Sequence, residues 1–146
     1  MNVPAALIVI AALVATTTLL GVLARRRSGR VRPTAGARFD AGRLGPDARL
    51  GTTVTVVQFS TEYCGPCRVA ERVLAPVVSE RPGVHYLDVD LGERPHLATE
   101  FGIVQTPTVL LLDAAGRIRS RIRGVPRAVD VAARIDEIVK ENHVVA

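Results

Sequence analysis

The chain has 146 residues, 48 % of them hydrophobic, with a mean hydropathy of +0.25 and a formal charge of +5. That length suits one modest domain with a small attachment. Residues 1–40 hold six Arg and one Asp, whereas residues 41–146 balance thirteen basic against thirteen acidic side chains. The excess charge therefore flanks the apolar N-terminus, which excludes the basic surface of a nucleic-acid-binding domain. The only cysteines are Cys64 and Cys67, too few and too closely spaced for a disulfide-stapled secreted scaffold.

Residues Val3–Ala24 (VPAALIVIAALVATTTLLGVLA) carry no charge. As a helix they would span roughly 33 Å, enough for the hydrocarbon core of a bilayer. Pro4 falls where a first helical turn tolerates it, and Thr16, Thr17 and Thr18 can return their hydroxyls to the helix backbone. A cleaved signal peptide and a buried core helix are the competing readings, but for a signal peptide positive charge follows this segment and does not precede it. The expectation is one transmembrane helix over residues 1–24. Arg25, Arg26, Arg27, Arg30 and Arg32 then place the following domain in the cytoplasm, with the N-terminus outside. An extracytoplasmic domain is the alternative.

Residues 25–50 are rich in Arg, Gly, Pro and Ala and read as a basic juxtamembrane linker, with Phe39 and Leu44 beginning an edge strand. A domain is expected over residues 51–146. Val54–Ser60 is a nearly continuous apolar run, as in a buried central strand. Cys64–Glu80 reads as a helix bent at Pro76, Val84–Val89 as a strand, and Pro95–Phe101 as a short helix closed by Gly102. Thr108–Leu112 and Arg117–Arg123 read as strands joined by the turn Asp113–Gly116. Arg127–Asn142 is a closing helix with Val131, Ile135, Ile138 and Val139 on one face. The order β-α-β-α-β-β-α implies an α/β fold, a mixed sheet of four or five strands with helices on both sides.

Cys64-Gly65-Pro66-Cys67 follows a buried strand and opens a helix. A helix N-terminus favours thiolate, the reactive form of cysteine. Cys64, at the exposed first position, suits the nucleophile, and Cys67, further into the helix, suits the resolving thiol. Gly65 allows a tight turn and Pro66 fits a first helical turn. A stapling disulfide would close a loop too small to stabilise much. A zinc site needs more ligands than two, and His85, His96 and His143 stand at no ligand spacing to the pair. No metal or cofactor is implied.

The segment Phe59–Arg68, with Phe101–Thr108 downstream and Asp88-Val89-Asp90 between, resembles the thioredoxin family, and the likeness runs from about Val54 to Ile138. It implies a thioredoxin-like fold and dithiol–disulfide exchange with disulfide-containing protein substrates. It also implies a cis Thr106–Pro107 peptide facing the dithiol, with the Thr106 backbone pairing to a substrate strand and Gly124 leaving room for it. Tyr63 stands where the family usually has Trp and would keep an aromatic wall beside the thiol. The Gly-Pro spacer is that of reducing members. The expected electron donor is a thioredoxin reductase for a cytoplasmic domain, or a membrane electron carrier for an extracytoplasmic one.

The departures bear on mechanism. Gln58 replaces the buried Asp that in the family moves protons at the inner cysteine, and Tyr86 replaces the Lys paired with it. Gln does not titrate, so Cys67 is expected to lose its proton to water or a substrate group. Pro76 lies about one turn later than the family's helix proline. The insertion typical of cytochrome c maturation members is missing, and the N-terminal βα unit looks truncated. A membrane-tethered binding module with incidental redox activity is the second reading, and metal or persulfide carriage by the dithiol a third. The alternation of Arg117, Arg119, Arg121 and Arg123 places four arginines on one strand face, read as solvated. Glu62 reads as a surface residue.

Overall fold

The computed structural model describes residues 3–34, 36–44 and 48–144. Helix α1 (Val3–Arg27) is followed by strand β1 (Val31–Pro33), a 3-10 turn at Ala41–Leu44, β2 (Val54–Ser60), α2 (Gly65–Ser79), β3 (Val84–Asp90), α3 (His96–Glu100), β4 (Thr108–Asp113), β5 (Ile118–Arg123) and α4 (Ala128–Val144). The five strands form one mixed sheet in the order β1-β5-β4-β2-β3. Among the described residues only the β2–β3 pair is parallel.

Every residue of β2 and β4 is buried, because both strands have a neighbour on each edge and packing on each face. Val54, Val56, Val109, Leu111 and Ile122 face Leu74 and Val77 of α2 and Val131, Ile135 and Ile138 of α4. On the other side Val57, Phe59, Leu110, Leu112 and Ile118 meet Leu97 of α3 with Phe39, Phe101 and Ile103. Phe39, Phe59 and Phe101 form an aromatic cluster with centroids 5.1–6.5 Å apart. At about 25 cal/mol per Å² of apolar surface, each buried Leu, Ile or Phe stabilises the sandwich by about 1.5–3 kcal/mol before the entropy of ordering it.

Two expectations are corrected. The segment read as a linker contributes to the domain: Val31–Pro33 pairs antiparallel with Ile122, Arg121 and Ser120 of β5, and Phe39 is a core residue. Leu44 closes the 3-10 turn instead of starting a strand. The four arginines do not share one face either. The β4–β5 register shifts between Leu111 and Leu112, so that Leu111 pairs with Ser120 and Leu112 with Ile118, leaving Arg119 as the extra residue of a bulge. Ile118 and Ile122, four apart, consequently pack on opposite sides of the sheet. Arg119 reaches Glu141 of α4, while Arg121 donates to the Phe101 and Gly102 carbonyls at the end of α3.

The span Val3–Ala24 of helix α1 is apolar around its whole circumference, and none of it is buried against the domain. By length and composition it can cross a bilayer. The Thr16, Thr17 and Thr18 hydroxyls bond the carbonyls one turn back.

Candidate active site

The site begins at the end of β2. After Ser60 the chain turns, the Cys64 N–H donates to the Thr61 carbonyl at 3.1 Å, and Cys64 becomes the N-cap of α2 in extended conformation. Its Sγ accepts the Cys67 N–H at 3.2 Å, taking the place of the side-chain oxygen that usually caps a helix. Pro66 occupies the first turn, where a missing N–H costs nothing. Cys64 and Cys67 are joined in a disulfide, with Cα atoms 5.2 Å apart.

The two sulfur-bearing residues differ in access. Cys64 is part-exposed, whereas Cys67 is 4 % exposed on the inner face of α2. Tyr63, 88 % exposed, stands beside the pair, and Gly65 and Pro66 are open to solvent. Across the end of the sheet, Thr106–Pro107 is a cis peptide. Phe59 pairs with Thr108, so Pro107 reaches the same end of the sheet as Ser60. Pro107 is buried, and its carbonyl accepts the Gly124 N–H at 2.8 Å. Among the described residues, no backbone hydrogen bond engages the N–H or C=O of Thr106.

Gly124 departs from expectation in its surroundings. Its φ of +83° is a left-handed conformation that favours glycine. A Cβ there would lie 3.3 Å from Ser28 Cβ, so the chain's own segment after α1 occupies that space.

Beneath the disulfide lies a cavity of about 170 Å³, lined by Gln58, Ser60, Cys64, Cys67, Glu71 and Asp88 among others. Gln58 is 2 % exposed; its Nε2 donates to the Cys67 carbonyl at 3.1 Å, and its Oε1 has no partner among the described residues. Ser60 Oγ donates to Asp88 at 2.9 Å. Loss of surrounding water holds the Asp88 carboxyl above its ordinary range against that hydrogen bond, and Glu71 and Asp90 push the same way. Tyr86 has a buried hydroxyl without a partner among the described residues, and its desolvation, with Asp88 and Glu71 nearby, pushes the phenol upward.

Sequence reasoning overlooked Ser60 and Asp88 as cavity residues. The signal was present: residues two apart on a strand share a face, so Gln58 lies with Ser60 and Tyr86 with Asp88, and the β2–β3 register sets Gln58 opposite Asp88. His85 and His96 are exposed, and the side chain of His143 lies outside the described residues. Glu62 is exposed at the rim of the cavity.

A cysteine pair capping a helix at the end of a mixed sheet, with a cis-proline across that end, defines a dithiol–disulfide site on a thioredoxin fold. The family model "Thioredoxin" matches residues 48–137, and the chain belongs to the thioredoxin family. It is 36 % identical over 115 residues to "Thioredoxin M-type, chloroplastic" of Chlamydomonas reinhardtii, covering 74 % of this chain and 77 % of that protein. It is 32 % identical over 79 residues to "Thioredoxin M3, chloroplastic" of Oryza sativa subsp. japonica, covering 53 % of this chain and 45 % of that one. The chain thus spans about half the length of some curated relatives it matches. A solved thioredoxin-2 of the malaria parasite superposes with a TM-score of 0.56 at 22 % identity, over 63 % of this chain and 89 % of that one, a likeness of fold.

Proposed function

We propose that the protein is a membrane-tethered thiol–disulfide oxidoreductase that reduces protein disulfides through Cys64 and Cys67. The observation that carries this reading is the asymmetry of the pair: Cys64 is part-exposed at the helix cap and Cys67 is sheltered one turn in. The Cys64 thiolate attacks one sulfur of a substrate disulfide, and the other substrate sulfur leaves as thiolate. The Cys67 thiolate then attacks Cys64 Sγ and releases the second substrate thiolate. Two electrons have passed to the substrate, and the Cys64–Cys67 disulfide remains for a thioredoxin reductase or a membrane electron carrier to reduce.

Tyr63, Gly65 and Pro66 form the exposed rim that a substrate would touch, and the free Thr106 backbone beside Pro107 would pair with its strand. Gly124 holds the Pro107 carbonyl from the next strand. With Gln58 unable to titrate, the Cys67 proton leaves through water in the cavity toward Asp88 or Glu71, or to the substrate. On this reading helix α1 is the tether, and the arginines that follow it favour a cytoplasmic domain.

The test is a trap. Cys67→Ser should accumulate mixed disulfides through Cys64, visible as thiol-sensitive adducts on non-reducing gels. If partners are retained equally when both cysteines are Ser, the protein is a binding module and the enzyme reading fails.

A further inference from the structure

Helix α1 does not hand over to a loose linker. It stops at Arg27, Ser28 bonds back to the Ala24 carbonyl, and Gly29 takes a left-handed φ of +77°, the usual geometry of a helix-ending glycine. Gly29 is buried, and its N–H donates to the Arg123 carbonyl at 2.6 Å. Ser28 packs against Gly124. Strand β1 begins at Val31, opposite Ile122. Three residues separate the membrane-length helix from the sheet, and two of them are already fastened to the domain.

Strand polarity decides which end of the domain this is. β2 runs toward the dithiol, β4 is antiparallel to it and starts at Pro107, β5 ends at Gly124, and β1, antiparallel to β5, starts beside Gly124. Residues Gly29, Gly124, Pro107 and Ser60 therefore stand in a row across one end of the sheet. β1 and β2 are three strand spacings apart, about 14 Å. The three connecting residues extend at most about 10 Å. The opposite pole, at Pro82 before β3, lies about one strand length, 20 Å or more, further away.

We infer that the dithiol end of the domain faces the bilayer, and that its substrates are disulfides of membrane proteins lying at the membrane surface. This rests on the reading of α1 as a membrane span. A soluble protein approaching Cys64 has to fit between the domain and the headgroups, whereas a juxtamembrane disulfide diffuses in the same plane at the same height. The exposed apolar side chains Tyr63 and Val104 flank the site on that face.

The experiment uses the full chain, chemically reduced, in phosphatidylcholine vesicles with a Leu-rich single-span peptide. The peptide carries a disulfide either next to the span or beyond a rigid helical spacer of about 27 residues, about 40 Å. The ratio of near to far single-turnover rates is read, so the intrinsic rate cancels. The native chain should prefer the near disulfide at least tenfold. The same spacer inserted between Arg27 and Ser28, which leaves Ser28 and Gly29 on the domain, should abolish or reverse that preference. A ratio near one in the native chain, or an unchanged ratio with the spacer, overturns the inference while leaving the tether intact. Release of the chain from vesicles by alkaline carbonate overturns the tether reading and this inference together.

Discussion

The Gln58 side-chain amide donates to the Cys67 carbonyl at 3.1 Å and leaves its own oxygen without a partner. An uncharged group thus lies under the inner cysteine, next to a cavity lined by the carboxylates of Glu62, Glu71, Asp88 and Asp90. Gln58→Asp introduces a titratable group at that point. Disulfide reduction is expected to rise about tenfold near neutral pH and to gain a pH dependence, less than the 10²–10⁴ of a fully positioned acid–base group because the proposed mechanism already gives the Cys67 proton another way out. Insulin reduction from pH 6 to 9 measures it. An unchanged profile removes proton transfer at this position from the mechanism.

Tyr86 buries a hydroxyl that has no partner. A buried donor left unpaired costs about 1–3 kcal/mol. Tyr86→Phe removes it while keeping the ring in the α2–α4 side of the core, so stability should rise by about 1 kcal/mol. Urea denaturation of both proteins reads the change as a higher midpoint with the same slope. A loss of stability would mean that the hydroxyl is satisfied in solution.

Asp113, 1 % exposed in its side chain, accepts hydrogen bonds from the Arg117 N–H and guanidinium and from Arg119. Burial alone would raise its carboxyl; the two arginines outweigh that and hold it below the usual carboxylate range. Because the folded value lies below the unfolded one, the carboxylate adds stability that is complete above the ordinary Asp value near 4 and is lost as pH falls through the depressed folded value. Asp113→Asn should cost about 2 kcal/mol at pH 7, the scale of hydrogen bonds to charged groups, because both arginines reach solvent and Arg119 keeps Glu141. The gap to the parent protein should close in acid, as followed by urea unfolding between pH 2 and 7. A gap constant over that range would count against the ion pairs as its source.

Arg121 donates to two carbonyls at the end of α3, Phe101 at 2.6 Å and Gly102 at 3.0 Å. That helix end leads through Ile103 into the Thr106–Pro107 loop, so under the proposed function Arg121 would position the backbone that pairs with substrate. Arg121→Met should cost about 2 kcal/mol, the scale of hydrogen bonds to a charged donor. The KM for insulin should rise more than kcat falls, and Arg121→Lys should restore only part of the loss. Equal changes in both constants would point to general loosening instead.

Local pattern sufficed for the elements whose own residues carry the signal. The apolar runs of β2 and β4 are continuous because both faces are covered, and α4 shows its buried stripe at helical spacing. The Cys64–Cys67 motif was equally plain, since a strand, two cysteines and a proline in the first helical turn lie within fourteen residues. β1 was hidden because three residues, Val-Arg-Pro, are too few to show alternation. The four arginines were misplaced because alternation assumes an unbroken ladder, and the bulge at Arg119 exists only relative to β4.

What the chain itself determined is the chemistry and the class of fold: periodicity and motif are local properties, written in neighbouring residues. What only the tertiary structure decided is where that chemistry points. The pairing of β1 with β5 and the hydrogen bond from Gly29 to Arg123 join residues nearly a hundred positions apart. Those contacts fasten the end of α1 beside Gly124, on the dithiol side of the sheet. Orientation is a property of such long-range pairings, which no window of sequence contains.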